Sequence, residues 1–295
     1  KLVKYDNEKD FYNALDMDYI PAELREDRGE IEAALKGNLP KLVEVDDIKG
    51  DLQVHSSYDL ESSHDVGSSS LVDLLKKADE LGYEYIGITD HNPKQTGLNK
   101  DERKEILQAR NEHFDKEYSS YENAVKKNSV KLLKGLEVDI KPDGELALES
   151  ENLELLDYVV ASVHSSFRQN KDEATERIIK GLSHPKVKIF AHPTGRMLGK
   201  REGLDYDWDK IFEYCTKNKI WIEVNSSPKR LDLPDSLVRD AIEKGLKLVI
   251  NTDAHDSSGL EFMKYGVWTA RRGWAEKKDV VNTLEWKELK KLIVK

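Results

Sequence analysis

Five of the eight histidines in this chain follow directly on a short apolar, β-rich run, and the other runs of that kind end in a carboxylate or a polar turn. In chain order the endings are His55 after LQV, Asp90 and His91 after YIGIT, and Glu137 within LLKGLEVDI. They continue with His164 after YVVASV, His192 after IFA, Asn225 in WIEVNSSP, and Asp253 with His255 in LVINTDAH. Imidazoles and carboxylates gathered in this way suit divalent cations. Neutral imidazole favours Zn, Mn or Fe, and carboxylate oxygens widen the choice toward Mn.

Such side chains meet only if the elements that carry them converge. Successive endings stand from 27 residues apart (Glu137 to His164) to 46 (His91 to Glu137), mostly with a helical pattern between them. That is the length of a strand–helix–strand unit, and seven units are visible. Ile, Val, Leu and Ala fill the runs almost without alternation, as in parallel strands buried on both faces. In a closed parallel barrel the C-terminal strand ends share one mouth, where enzymes of this architecture place their chemistry.

Composition agrees. One α/β barrel can use most of the 295 residues as a single domain, and 38% hydrophobic against 35% charged residues leaves a sizeable core. No run approaches the about 18 apolar residues of a membrane span, and no signal peptide is expected. The single cysteine, Cys215, lies in a helical pattern and reads as a small buried residue; one thiol cannot form an internal disulfide, so a cytoplasmic location is expected. A net charge of -10 argues against non-specific coating of nucleic acid but leaves room for a local basic path over the mouth.

Residues 1–46 read as a small helical segment plus linker, with Gly29 and Gly37 bounding the helix GEIEAALKG, and residues 47–295 as the barrel. The chain opens on Lys1, and the expectation is that it was cut from something longer. Residues 101–127 form the longest helical pattern, highly charged with a thin apolar stripe, and are expected to be a solvated outer helix.

The segments DLQVHSS, ITDHN, GLEVDI, SVHSS, AHPTGR and NTDAH together resemble the metal-binding motifs of the polymerase and histidinol phosphatase (PHP) superfamily. GYEYIGITDHN, LKGLEVDIKPDG, AHPTGRMLGKRE, NSSPKRLDLPD and MKYGVWTARRGW look like the C-terminal PHP domain of bacterial and archaeal family X DNA polymerases. Residues 19–51 look like the end of that polymerase's thumb and its linker, whereas nothing here resembles its catalytic palm. The resemblance implies a distorted (β/α)7 TIM-like barrel preceded by a short helical segment. It also implies up to three divalent ions, Mn or Zn first with Fe or Mg as alternatives, and phosphoester chemistry. Glu137, with two oxygens, can bridge two such ions. By the same resemblance His55, Glu137 and Asp253 share a first metal, and Glu137 and His164 a second. His91, His192 and His255, with a residue from the segment after the first strand, hold or flank a third. Glu137, Asp253 and His255 are the expected catalytic core.

Two positions depart from the family pattern. The first motif usually reads His-x-His, and here Gln53 precedes His55; its amide is either a weak, uncharged ligand or a hydrogen-bonding spectator. The following loop, SSYDLESSHDVGSSS, is longer than usual, so its ligand is His64 before Asp65, with Asp59 as competitor. Asp90 is expected to orient an imidazole. Asp139 alternates with Glu137, and a role facing away stands level with ligation. His113 should be solvated, and His184, ahead of a strand, should lie at the opposite mouth.

Arg196, Lys229 and Arg230 are candidates for binding phosphate oxygens, against ordinary surface charge. Arg271 and Arg272 with Trp268 and Trp274 suit single-stranded nucleic acid or form a packed cap. The expected function is a metal-dependent phosphoesterase on DNA 3′ ends, a 3′-5′ exonuclease or 3′-phosphatase working with polymerase domains of the same longer chain. The alternatives are a small-metabolite phosphatase of the histidinol-phosphatase type and a metal-poor module that supports a polymerase. No membrane partner is expected, and the oligomeric state stays open.

Overall fold

The protein was analysed as a computed structural model that describes residues 3–125 and 129–293. Eight short parallel strands run in chain order: β1 (Gly50–Val54), β2 (Tyr85–Ile88), β3 (Lys131–Lys134), β4 (Leu136–Asp139), β5 (Val159–Ser162), β6 (Val187–Phe190), β7 (Trp221–Asn225) and β8 (Leu248–Asn251). They pair as β1-β2-β3 and as β4-β5-β6-β7-β8. The third run of the sequence, read as one strand, is therefore two. It breaks at Gly135, where a Cβ would fall 2.8 Å from both Thr89 and the Tyr158 ring. A backbone bridge between His91 and Glu137 spans the break, and another between Val54 and Ala254 sets β1 beside the end of β8. Seven strand positions thus form a nearly closed, distorted (β/α)7 TIM-like barrel.

The helices are α1 (Glu8–Asn13), α2 (Glu30–Leu35), α3 (Leu71–Glu80), α4 (Lys100–Val125), α5 (Ser150–Leu153), α6 (Lys171–Gly181), α7 (Trp208–Asn218), α8 (Asp235–Glu243), α9 (Met263–Arg272) and α10 (Trp286–Ile293). Ser70, Asn170 and Asp207 cap α3, α6 and α7, each side chain accepting from a backbone N–H of the first turn. Leu52, Tyr85, Leu133, Tyr158, Val160, Ile189 and Val249 fill the barrel interior. Leu289 and Ile293 of α10 join that cluster beside Trp221 and Tyr85, the first residues of β7 and β2, and so stopper the end opposite the site. Each such side chain contributes about 1.5–3 kcal/mol by leaving water.

Helix α4 departs from a purely solvated helix. Arg103, Leu107, Arg110, Phe114 and Tyr121 recur at helical spacing and are buried. Arg110 is fully enclosed, its Nε donating to Asp90 Oδ2 at 2.9 Å and its Nη2 to the Ile88 carbonyl at 3.0 Å. His113, on the outer side, is half exposed.

Ahead of the barrel, Ile20, Leu24, Ala34 and Leu42 make a small core against Trp274. Arg271 pairs with Glu23 at 2.7 Å and Glu44 at 2.6 Å, Arg272 with Glu26 at 2.7 Å, and Arg28 with Asp235 at 3.1 Å. The arginines and Trp274 singled out for nucleic acid are therefore committed to docking the N-terminal segment on α8 and α9. Trp268 stays 47% exposed, edge-on to Tyr265. Among the described residues no helix is long and apolar enough to cross a membrane.

Candidate metal centre

The first strand to carry candidate ligands owes its geometry to an irregularity. The register of β1 against β2 shifts between Asp51 and Val54. Leu52 points into the barrel core, yet Gln53 and His55 also reach the inward face at the mouth, as a bulge allows. The loop after β1 then folds back over the strand end. Gly67 passes so close that a Cβ there would lie 2.4 Å from the His55 carbonyl oxygen, and Ser68 N donates to the His255 carbonyl at 2.7 Å. Asp253 follows β8 in a left-handed conformation (φ 55°), held by its N–H donating to the Gln53 carbonyl at 3.0 Å. A non-glycine residue there stores about 1–3 kcal/mol of strain, which the ladder to β1 offsets.

Glu137 is the hub. Its Oε1 lies 2.9 Å from His192 Nε2 and 3.5 Å from His164 Nε2. Its Oε2 lies 3.2 Å from His55 Nε2, 3.6 Å from His91 Nδ1 and 3.1 Å from Gln53 Nε2. His55 Nε2 is also 3.1 Å from Asp253 Oδ1. His255 is stacked on His55 with ring centroids 4.2 Å apart. Four donor triplets result, each with ligand atoms mutually within 4.8 Å: His55, Glu137 and Asp253; Glu137, His164 and His192; His55, His91 and His255; His64, His91 and His164. His192 thus groups with Glu137 and His164 and apart from His255. The donor set fits divalent cations, and His91 Nδ1 is buried without a hydrogen-bond partner, as a group awaiting an ion would be.

The loop residues sort themselves. His64 Nε2 sits 2.8 Å from Asp139 Oδ2, and Asp65 lies 3.2 Å from His255 and 3.6 Å from His91. Asp59 is exposed and accepts from the Glu61 N–H in its own turn. Asp139 faces the site, because residues two apart on a strand share a face. It joins His64 to His164, whose Nδ1 is 2.7 Å from its Oδ1. Asp90 orients no imidazole: it accepts from Ser56 N at 2.6 Å and pairs with Arg110. His184 precedes β6, far from the mouth, and accepts from Lys186 N.

Charge and burial oppose each other at every step. Burial disfavours protonated His55, yet its hydrogen bonds to Asp253 and Glu137 raise its pKa to about 10. Burial likewise opposes ionised Glu137, but His91, His192 and His55 hold it well below the usual carboxylate range. Burial opposes and His55 favours ionisation of Asp253, which ends low. Burial keeps His91 below its ordinary value. His255 is raised by Asp65 against burial, and His64 by Asp139. Protons on the imidazoles thus balance charge that cations would otherwise neutralise.

Below the ligands lies a polar layer that the sequence reading overlooked. Asn225 Nδ2 donates to Asp253 Oδ2 and to Glu223 Oε2, both at 3.1 Å. Glu223, fully buried and raised well above the normal range by burial and by Asp253, also accepts from His192 N at 2.7 Å. Its signal was present: a glutamate inside the apolar run WIEVN needs a partner. Asp232 accepts from Thr194 N and Gly195 N and fixes the turn after His192.

The phosphate candidates differ. Arg230 reaches the centre, its Nε 3.5 Å from Asp253 Oδ2 and its buried Nη1 without a partner. Arg196 donates from Nε to the Arg230 carbonyl at 2.9 Å and from Nη2 to the Leu231 carbonyl, so it braces a loop. Lys229 is exposed on that loop.

The sequence model of the PHP domain matches residues 51–227. The "DNA polymerase/3'-5' exonuclease PolX" of Bacillus subtilis is 36% identical over 289 residues, which cover 98% of this chain and 48% of that protein. A "Probable phosphatase" of Thermoanaerobacter pseudethanolicus is 28% identical over 199 residues, 64% of this chain and 74% of that protein. One of the same description from Clostridium acetobutylicum is 23% identical over 200 residues, 64% and 73% of the two chains. The chain spans about half the length of the Bacillus relative. With the barrel, the mouth cluster and the matched motifs in agreement, the chain belongs to the PHP domain family.

Proposed function

We propose that this chain hydrolyses phosphoesters at DNA 3′ ends, as a 3′-5′ exonuclease or 3′-phosphatase, with residues 1–46 linking the barrel at 47–295 to polymerase domains of a longer protein. At the coarser level it is a metal-dependent phosphoric ester hydrolase of the PHP family. The observation that carries the reading is Glu137, whose two oxygens each lie within reach of imidazoles from different strands. The DNA end as substrate is supported by the name and 36% identity of the Bacillus relative.

When bound, divalent cations supply Lewis acidity and positive charge to a phosphoryl group and acidify a water. His55, Glu137 and Asp253 would hold one ion, and Glu137 with His164 and His192 a second. His91 with His255, aided by His64 or Asp65, would hold a third. Mixed imidazole and carboxylate donors favour Mn or Zn. Arg230 binds a non-bridging phosphoryl oxygen through its free Nη1. Asn225 and Glu223 keep Asp253 and His192 oriented.

The test is hydrolysis of a 5′-labelled oligonucleotide ending in 3′-hydroxyl or 3′-phosphate, with Mn, with EDTA in its place, and with an Asp253→Asn, His255→Ala control. Metal-dependent shortening or loss of terminal phosphate, absent from the control, is expected. A second reading, a small-metabolite phosphatase, is favoured by the relatives described as phosphatases. It predicts turnover of small phosphate esters and none of DNA. No turnover of either with little bound metal would point to a structural module.

A further inference from the structure

We propose that the loops after β6 and β7 form a single lobe that guides the nucleotides 5′ of the reacting end, and that this lobe sets polynucleotides apart from small phosphate esters. The inference rests on the DNA-end reading and adds to it a surface outside the metal cluster.

The two loops are fastened to each other. Leu198 N donates to the Lys229 carbonyl at 2.8 Å, and Met197 and Arg201 exchange two backbone hydrogen bonds of 2.8 Å. Arg196 crosses between the loops to the carbonyls of Arg230 and Leu231. Asp232 of the second loop accepts from Thr194 N and Gly195 N of the first. The lobe is therefore preorganised, and it joins the metal centre through Arg230 at Asp253.

Its outer side has the chemistry of a strand path. Lys200 and Lys229 are exposed, and Leu198 is 46% exposed beside them. Among the described residues, Lys200, Arg201 and Lys229 have no carboxylate within 4.0 Å, although the chain carries a net charge of -10. The Arg201 guanidinium lies over Phe167, its Cζ 3.7 Å from the ring centroid, and is pinned by Nε and Nη2 to the Gly195 carbonyl. A guanidinium fixed on an aromatic ring offers its free face to a nucleobase whatever the sequence. The loop after β1 exposes Asp59, which repels a polyanion, beside Glu61, which is paired with Lys94. A phosphate backbone leaving Arg230 is thus steered over Lys229 and Lys200, with a base on Arg201.

The test compares wild type with Lys200→Ala/Lys229→Ala and with Arg201→Ala, reading fluorescence anisotropy of a labelled single-stranded oligonucleotide across salt concentrations. Hydrolysis of that oligonucleotide and of p-nitrophenyl phosphate is followed in parallel with Mn. The double variant should bind the oligonucleotide at least tenfold more weakly, with the slope of log affinity against log salt reduced by about 1.4, or about 0.7 per lost phosphate contact. Its loss on DNA should exceed any loss on the small ester by about tenfold. Arg201→Ala should weaken binding about tenfold for the normal strand and far less for an abasic one. Unchanged oligonucleotide affinity and salt slope in the double variant, or equal losses on both substrates, would overturn the proposal. Wild type that turns over the small ester but neither binds nor cleaves DNA would instead overturn the DNA-end reading beneath it.

Discussion

Gln53 Nε2 donates to Glu137 Oε2 at 3.1 Å, so the residue standing where the family pattern has an imidazole is joined to the hub of the site. Its buried Oε1 has no partner and is the atom that would face an ion if the amide turned over. Gln53→His replaces a neutral amide with a stronger donor. We predict Mn and Zn affinities raised about tenfold, with the larger gain for Zn, measured by competition with a chelator. Equal affinities for both proteins would remove position 53 from the metal.

Asp139 fixes His164 through Nδ1 and leaves Nε2 toward Glu137, the arrangement by which a carboxylate sets the tautomer of a ligand. Asp139→Asn should lower metal affinity and activity about 10- to 100-fold while the thermal midpoint of the metal-free protein barely moves. Bound metal counted after gel filtration gives the answer; full occupancy in the variant would contradict the assignment.

Metal binding should release protons. His55, at about 10, is protonated in neutral solution, and His255 and His64 are also raised. Mn affinity should therefore climb as pH rises from 6 toward 10. Calorimetric titrations at pH 8 in buffers of different ionisation enthalpy should report at least about one proton released per first ion bound. For the metal-free protein the sign runs the other way. The raised pKa of His55 contributes stability that is fully present below about 6.5 and lost as pH passes through about 10. Metal-free protein should thus melt at lower temperature at pH 10 than at pH 7, and loaded protein should not. A pH-independent difference between the two would refute the linkage.

Arg110 and Asp90 form a buried pair between α4 and the end of β2. Arg110→Met leaves Asp90 charged and alone, at a cost of about 3–5 kcal/mol in urea unfolding. Because Asp90 also holds Ser56 N, at the start of the loop that carries His64 and Asp65, activity should fall with stability. An Asp90→Asn, Arg110→Met double variant should recover part of the stability.

The strand ends could be read from sequence because an apolar run followed at once by His, Asp or Glu needs no knowledge of distant neighbours. The parallel arrangement then brings those ends together whatever the details of pairing. What escaped the reading depends on partners far along the chain. Glu223 reaches Asp253 through Asn225, which the sequence marked only as a strand ending, and Arg110 finds Asp90 from a helix whose charged composition masks its buried side. At the break, Gly135 leaves room for Thr89 and for Tyr158, just ahead of β5, a closeness that the run LLKGLEVDI does not reveal. For Asp139 the sequence analysis set a role facing away level with ligation, although a period of two puts it on the same face as Glu137. Arg271 and Arg272 looked like nucleic-acid ligands because their acidic partners lie more than 200 residues earlier.

The helical stopper of Leu289 and Ile293 has a kinetic consequence. A barrel whose interior is packed and whose far end is plugged has one doorway, the mouth, through which substrate arrives and products depart. Released phosphate therefore occupies the same space as the next phosphoester, and turnover is expected to wait on its departure. Inhibition by released phosphate, competitive with substrate, is the expected outcome.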